Sequence, residues 1–280
     1  MPTIAVSSWS VRHALGPMYP GLALMQGART VTNNRFGSGS LTLLDLPAAA
    51  RAAGIGLLDV CHFHFPRTDA DYLRQLSDRM TAADVQLLTL LVDEGDISTA
   101  DAIARERDLA SMRDWIDIAA RLGARYVRVI AGEQDAGPDD DAVQRSAAGL
   151  STLARYAQER SVGLLIENFR PLAMSHDSLL ALLDATKGTV GLVADFGNYK
   201  GPEKYGVLRT ILPRATTIHA HASVEWMRPG ATDEGDLRRC LTLSRAAGFA
   251  GAYVLIFDGD PAEDEWSGIG QMAATVQDYC

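Results

Sequence analysis

The sequence has few of the features that mark secreted, membrane-spanning or disulfide-rich proteins. Its three cysteines are odd in number and form no Cys-x-x-Cys pair: Cys61, Cys240 and Cys280. This pattern argues against a disulfide framework and indicates a reduced compartment, so we predict a cytoplasmic protein. No apolar run approaches the roughly 20 residues that a bilayer span needs, which predicts no membrane partner. The N-terminal segment lacks a basic stretch and is typical of a first strand rather than a signal peptide.

Positive charge is also scarce. The chain has 26 Lys and Arg against 35 Asp and Glu, a net charge of −9. Proteins that grip nucleic acid neutralise its phosphates with Lys and Arg, so the charge balance argues against a nucleic-acid partner. The sequence contains neither a Gly-x-Ser-x-Gly nucleophile motif nor a phosphate-binding P-loop. Serine hydrolases of that type and P-loop nucleotide hydrolases are therefore excluded.

What the chain does have is a regular alternation of strand-like and helix-like segments. Hydrophobic residues make up 47% of it and no Ser- or Pro-rich linker divides it, so we predict one domain over residues 1–280. Eight short apolar runs are typical of strands: Ile4–Trp9, Gly56–Cys61, Gln86–Val92, Tyr126–Ile130, Gly163–Glu167, Gly191–Asp195, Thr216–His221 and Ala252–Phe257. Eight strand–helix units in about 250 residues predict an α/β fold, a single (β/α)8 TIM barrel. An open doubly wound sheet is the alternative, but it usually has a Gly-rich turn after its first strand, and none follows Trp9.

One connection is longer than such a fold requires. Between Gly16 and about Leu41 the chain is rich in Gly, Pro, Asn and Ser. This long loop follows the first strand and would lie on the active-site face of a barrel. Long loops there often close over the reaction, so we predict a lid, with a mobile insertion of no catalytic role as the alternative.

Three metal-compatible side chains stand at or near the ends of consecutive predicted strands. Glu167 follows Leu164–Ile166, Asp195 follows an apolar run of five residues, and His219 follows Thr216–Ile218. Barrels of this kind carry their chemistry where the strands end. Two carboxylates and an imidazole converging there predict a divalent-metal site. The alternatives are an ion pair of Glu167 with Arg170 and a turn capped by Asp195.

Several polar residues near these positions are candidates for substrate contacts. Side chains alternate along a strand, so His221 shares the face of His219 and is directed to the same site. Asn198 follows Asp195 closely and would present an amide to a substrate hydroxyl, while His64 lies just past the second strand.

These residues resemble the xylose-isomerase-like barrel superfamily of sugar isomerases, ketose epimerases, inosose dehydratases and endonuclease IV. The resemblance also covers Val6–Ser10, the acidic stretch 93–96 and residues 119–129 leading into the fourth strand. It implies four ligands: Glu on strand five, Asp on strand six, His on strand seven and Glu on strand eight. Glu167, Asp195 and His219 match the first three. Ile256 stands where the fourth belongs, and Asp258 follows two residues later on the same face.

The resemblance implies a metal-dependent isomerase or epimerase that acts on a carbohydrate or polyol through an enediolate. The implied metal is Mn²⁺, Mg²⁺ or Co²⁺, with Zn²⁺ as a further option. Glu167 is then the base and a ligand, Asp195 and His219 are ligands, and Asp258 is the candidate fourth ligand and second catalytic carboxylate. The residues expected to orient the substrate are His221, Asn198, His64 and Arg170.

Two other functions stay open at this point. A dehydratase would use the same enolate to expel water from a keto-inositol or sugar acid. A sugar-binding barrel without catalysis is the other, because Ile256 replaces a ligand. A DNA-repair nuclease fits the acidic charge least well. Whether the substrate is phosphorylated, and whether the protein forms a homo-oligomer, are not specified by the sequence.

Overall fold

The computed structural model describes residues 2–20, 33–138, 140–223, 232–259 and 265–279. Its eight strands follow one another in chain order. Their bounds are β1 Thr3–Ser7, β2 Leu57–Cys61, β3 Gln86–Val92, β4 Tyr126–Val129, β5 Gly163–Glu167, β6 Val190–Asp195, β7 Ala215–Ser223 and β8 Ala252–Asp258.

Each strand pairs in parallel with its neighbours, and β8 pairs with β1, so the sheet closes into a barrel. The closure places Val6 of β1 opposite Leu255 of β8. A parallel connection needs a crossover, which the intervening helices supply. The predicted (β/α)8 barrel is confirmed, and the open doubly wound sheet is excluded.

Helices follow the strands, and some of them begin at side-chain caps. Their bounds are α1 Arg12–Leu15, α2 Leu46–Ala52, α3 Ala70–Ala83, α4 Ala102–Arg121, α5 Asp141–Gln158, α6 Arg170–Met174, α7 His176–Ala185, α8 Lys204–Ile211, α9 Thr232–Ala246 and α10 Glu265–Tyr279. Asp69 caps α3 by accepting a hydrogen bond from the Tyr72 amide, and Asp101 caps α4 in the same way from the amides of Ile103 and Ala104. Such caps satisfy amides that have no partner inside the helix.

The apolar core has an outer and an inner part. The outer part fills the space between the barrel and its helices, with Trp115, Phe196 and Phe257 among its fully buried side chains. The inner part is small and includes Val254 and Ile256 of β8. The inner cluster closes the lower barrel, so polar side chains above it meet at the carboxyl ends of the strands.

The first strand is shorter than predicted. Strand β1 ends at Ser7, and Trp9 lies in a 3₁₀ helix over Ser8–Val11 rather than in the strand. The reason is local: the Ser7 hydroxyl accepts a hydrogen bond from the Trp9 amide at 3.2 Å, which turns the chain. The Trp9 side chain thereby becomes part of the pocket wall described below.

The loop predicted as a lid, Gly16 to about Leu41, is described only in part, because residues 21–32 lie outside the described residues. In the described part, the Tyr19 amide donates to the carbonyl of Phe63 at 2.7 Å. The Phe36 ring packs edge-on against Trp9 at 5.6 Å. The loop therefore contacts the carboxyl-end face of the barrel, and its role as a lid stays a prediction. Within the described part of the chain, every helix is too short or too polar to cross a bilayer.

Candidate active site

The carboxyl ends of β5, β6 and β7 bring three buried side chains together. Glu167, Asp195 and His219 are 4%, 3% and 3% exposed, and one ligand atom of each lies within 4.8 Å of the others. Adjacent parallel strands place these residues side by side, with Asp195 opposite His219 in the pairing of β6 and β7. Two carboxylate oxygens and an imidazole nitrogen at this spacing fit a divalent cation such as Mn²⁺, Mg²⁺, Co²⁺ or Zn²⁺.

Asp195 is held from two sides. The side chain of Asn168, at the end of β5, accepts from the Asp195 amide at 2.7 Å and donates to the Asp195 carbonyl at 3.0 Å. The carboxylate oxygen Oδ1 accepts from the amides of Gly197 and Asn198 at 2.6 and 2.8 Å. Asp195 therefore caps the following turn with one oxygen, and its Oδ2 is directed to His219. The turn-capping and metal-ligand interpretations of this residue are compatible, since each uses a different oxygen.

Glu167 is paired, but its partner is not Arg170. Its Oε2 lies 2.9 Å from Nε of Arg128, a buried residue on β4. Its Oε1 accepts a hydrogen bond from the side-chain amide of Asn198 at 3.1 Å. Arg170 instead faces Glu133, with Nε 3.4 Å from Oε1. The alternative ion pair of Glu167 with Arg170 is wrong, because Arg128 reaches the carboxylate from inside the barrel.

The His219 imidazole lies between three carboxylates. Its Nδ1 is 3.5 Å from Oε1 of Glu167 and 3.5 Å from Oδ2 of Asp195, while its Nε2 is 3.4 Å from Oδ2 of Asp59. Burial disfavours the charged ring, but these carboxylates outweigh it and raise the pKa of His219 well above its usual value. The excess negative charge that makes the ring cationic would equally attract a metal ion to the space beside Nδ1.

His221 lies next to this group on β7. Its Nδ1 is 3.2 Å from Oδ1 of Asp195, and its Nε2 is 3.7 Å from Oδ2 of Asp258. Burial opposes the charged ring, but Asp195 and then Asp258 raise the pKa of His221 to about 9. The ring packs so closely on Gly197 that a Cβ there would lie 2.2 Å from Nδ1. Only glycine at position 197 lets this imidazole reach Asp195.

The eighth strand carries no ligand at the expected position. Ile256 is buried and lines the pocket with its apolar side chain. Asp258 accepts a hydrogen bond from Nε1 of Trp9 at 3.2 Å and pairs with Arg12 at 3.1 Å. The neighbouring His221 ring is the largest cause of a lowered pKa at Asp258, and Arg12 adds to it. Asp258 lines the same pocket but is not part of the group of three. Its role as a ligand stays a prediction.

A cavity of about 240 Å³ opens above the group of three. Its polar lining includes Asp93, Arg128, Asn198, His221 and Asp258 in addition to that group. Its apolar lining is formed by Trp9, Cys61, Phe63, Leu91, Phe169 and Ile256. A concave space that combines a few polar groups with aromatic and apolar side chains is typical of a site for a small ligand.

Four residues were predicted to orient the substrate, and the structure brings two of them to the cavity. His221 and Asn198 line it. His64 lies behind the wall, with Nδ1 2.8 Å from the Ser8 hydroxyl, and burial lowers the pKa of its ring to about 3. Arg170 lies at the rim, and its side chain donates to the Asp93 carbonyl at 3.4 Å. Neither His64 nor Arg170 is in the cavity lining, so contacts from them stay predictions without geometric support.

Two buried charged residues of the site were missed by the sequence reasoning. Arg128 lies in the predicted strand Tyr126–Ile130 and Asp59 in the predicted strand Gly56–Cys61, and neither was among the predicted site residues. A signal was present for both, because a charge inside an apolar strand is costly to bury unless it is paired. Arg128 pairs with Glu167 and Asp93, and Asp59 contacts His219.

The geometry agrees with a match to a known family. The family model described as the xylose isomerase-like TIM barrel matches residues 47–266. The chain belongs to this family. No curated protein matches the chain by sequence. The family membership confirms the resemblance inferred from the strand-end residues.

Solved structures share the fold at low identity. An L-ribulose 3-epimerase has a TM-score of 0.72 and 18% identity, with 100% of this chain and 96% of that chain covered. A D-allulose 3-epimerase from Methylomonas sp., in complex with D-allulose, has 0.71 and 12%, covering 100% and 97%. A xylose isomerase-like TIM barrel protein from Mycobacterium smegmatis, in complex with magnesium, has 0.68 and 14%, covering 100% and 97%. At these identities the likeness concerns the fold.

Proposed function

We propose that the protein is a metal-dependent isomerase or epimerase of a small carbohydrate. The observation that carries this proposal is the buried group of Glu167, Asp195 and His219 at the floor of a cavity of about 240 Å³. Structural relatives that are 3-epimerases of L-ribulose and D-allulose support the substrate class. The cavity would hold a single monosaccharide-sized ligand between its polar and aromatic walls.

The three residues of the group would hold the cation through Glu167, Oδ2 of Asp195 and Nδ1 of His219. When bound, a divalent cation at this place supplies Lewis-acid stabilisation of the negative charge that develops on neighbouring substrate oxygens. The arrangement of donors explains why the protein tolerates so much buried negative charge, since buried charges are normally paired or coordinate metals.

Glu167 is our candidate for the base that removes a proton from the carbon next to the substrate carbonyl. Arg128 contacts its Oε2 at 2.9 Å and holds the carboxylate at the edge of the cavity. The C–H electron pair becomes the C=C bond of an enediolate, and the carbonyl π pair moves onto its oxygen. The proton is held on Glu167 until it returns to a carbon and restores a carbonyl.

Whether the returning proton inverts a stereocentre depends on the groups on the opposite side of the cavity. An epimerase that delivers the proton from the other face needs a second acid there. At this position the eighth strand has Ile256, which lines the cavity and cannot donate a proton. Asp258 lies two residues further on and is held by Trp9 and Arg12. The geometry therefore favours return of the proton by Glu167 on the same face to the adjacent carbon. This transfer, together with movement of a proton from the hydroxyl oxygen of one carbon to the carbonyl oxygen of the other, interconverts an aldose and a ketose.

The experiment that tests the proposal is an exchange assay in heavy water. The purified protein is stripped with EDTA, reloaded with Mn²⁺, Mg²⁺, Co²⁺ or Zn²⁺, and incubated in D₂O with a panel of ketoses and aldoses, free and phosphorylated. We expect metal-dependent deuterium incorporation next to the carbonyl, detected by NMR and mass spectrometry, and conversion between aldose and ketose. The Glu167→Gln variant serves as the control and should show neither.

The outcomes separate the alternatives. Product inverted at one carbon would make the enzyme an epimerase and direct attention to Asp258. Loss of water from a keto-inositol or sugar acid would make it a dehydratase. Binding of sugars without exchange under every metal would contradict catalysis and support a binding barrel.

A further inference from the structure

Asp59 is a fully buried carboxylate inside the barrel that the proposed reaction does not use. Its exposed fraction is 0%, and its Oδ2 lies 3.4 Å from Nε2 of His219. A buried carboxylate is costly unless a charged or hydrogen-bonding partner compensates it. Here the nearest ionisable partner is the imidazole whose other nitrogen faces Glu167 and Asp195.

The backbone is shaped to place this side chain there. The pairing of β2 with β3 shifts register between Leu58 and Asp59, which is a local irregularity of the β-bulge type. Such irregularities re-aim a side chain and recur beside active sites. The shift sets Asp59 opposite Thr89 of β3, and the side chain of Asp59 meets β7 across the inside of the barrel.

The two nitrogens of His219 have different surroundings, and this difference carries the inference. Nδ1 is 3.5 Å from each of two carboxylates that would share a metal ion with it. Nε2 faces a single carboxylate that lies outside the group of three. An imidazole binds a metal through one unprotonated nitrogen and commonly donates its other N–H to a carboxylate, which fixes the tautomer and the ring plane.

We propose that Asp59 is a positioning residue for His219. It accepts a hydrogen bond from Nε2–H and so keeps the lone pair of Nδ1 directed at the space between Glu167 and Asp195. The inference rests on the proposed metal site and deepens it, because it assigns to Asp59 of β2 the role of orienting His219 as a ligand. Asp59 itself touches neither the cation nor the substrate.

The test measures metal binding rather than turnover. Asp59→Asn keeps the shape of the side chain but removes its charge, and its amide can donate to Nε2 and favour the wrong tautomer. Titration calorimetry of EDTA-stripped protein with Mn²⁺ and Mg²⁺ should show an affinity about 10- to 100-fold weaker than in the wild type. Asp108→Asn, which alters another buried carboxylate far from β7, is the matched control and should bind like the wild type.

A second measurement needs no variant and so does not depend on whether Asp59→Asn folds. In Mg²⁺-loaded wild-type protein, ¹⁵N NMR of the histidine rings should show His219 protonated at Nε2 and unprotonated at Nδ1. A ring protonated at Nδ1 would overturn the inference. Unchanged metal affinity in a folded Asp59→Asn variant would overturn it too and leave Asp59 as a structural charge partner. Wild-type protein that binds neither metal would overturn the proposed function itself, which is a different result from either.

Discussion

The two halves of the pocket rim differ in how their charged groups are used. At the ends of β5 to β7, Glu167, Asp195 and His219 converge within 4.8 Å and face one another. At the ends of β8 and β1, Asp258 is already neutralised by Arg12 and accepts from Trp9. The first half gathers two carboxylates around one imidazole, whereas in the second half Asp258 is ion-paired with Arg12 beside the apolar Ile256. Under the proposed function, we expect metal binding and proton transfer in the first half.

Glu167→Gln should have the largest effect on the ligand half. The variant removes both a negative ligand and the candidate base, so turnover should fall by about 10²- to 10⁴-fold or more. Initial rates under saturating Mn²⁺ provide the measurement. Glu133→Gln, which alters the rim carboxylate facing Arg170, is the matched control. Full activity in Glu167→Gln would remove Glu167 from the mechanism.

Arg128→Met should cause the largest loss of stability. The variant leaves Glu167 and Asp93 without their buried cationic partner, and breaking a buried pair in this way costs about 3–5 kcal/mol. Urea unfolding of metal-free protein should show this loss, and added Mn²⁺ should restore part of it. Arg160→Met, at a partly exposed pair with Asp117, should cost about 1 kcal/mol or less. Equal losses of unfolding free energy in the two variants would mean that the buried pairs of Arg128 stabilise the fold no more than the partly exposed pair of Arg160.

The pH dependence of metal affinity should follow His219. Because its pKa lies well above the usual value in metal-free protein, a bound cation has to displace a proton from Nδ1. Affinity should therefore rise about tenfold per pH unit while the ring is protonated, as measured by Mn²⁺ titration between pH 5 and pH 7. The stability of the metal-free protein depends on pH in the opposite direction. The raised pKa of His221 stabilises the fold fully below about pH 6.5, and this stabilisation is lost as the pH rises through about 9. An affinity independent of pH would place the metal away from His219.

Ile256→Glu tests whether the half of the rim formed by β8 and β1 can be made to bind the cation. The variant supplies a carboxylate where relatives are expected to carry one. Because an added negative ligand strengthens cation binding, we expect the affinity to rise about tenfold. Ile256→Gln, with the same size and no charge, is the control. If both variants bind Mn²⁺ like the wild type, strand eight does not reach the ion.

Asp258→Asn should have the smallest effect. Since Asp258 is engaged with Arg12 and Trp9, metal affinity should change by well under the roughly tenfold that follows loss of a supporting partner of a ligand. Calorimetry with Mn²⁺ measures it. A loss comparable to that of Asp195→Asn would identify Asp258 as the fourth ligand, as the sequence suggests.

The fold and the ligand half were predictable for the same reason. Long apolar runs fix the strands, and a polar residue directly after such a run must lie at the carboxyl end of the barrel, as Glu167 and Asp195 do. His221 followed from strand alternation and lies in the cavity. His64 does not line the cavity, because the chain turns into a 3₁₀ helix at His62. From that residue on, side chains no longer alternate between two faces as they do in a strand.

The missed residues depend on contacts across the barrel. Nothing in the local sequence indicates that Arg128 of β4 lies between Asp93 and Glu167. Asp59 needs in addition a register shift in β2 and a partner on β7, far away in the chain. Which charges pair inside a closed barrel depends on the tertiary structure. A single sequence indicates only that such charges must be paired.

The side chain of Asn168 has a consequence beyond holding one aspartate. By bonding to both the amide and the carbonyl of Asp195, it fastens the ends of β5 and β6 to each other without any contact from residues 199–203. Residues 199–203 can then vary in length and chemistry while Asp195 stays in place. Replacing that segment with the corresponding one from another barrel should accordingly leave the conformation of Asp195 unchanged.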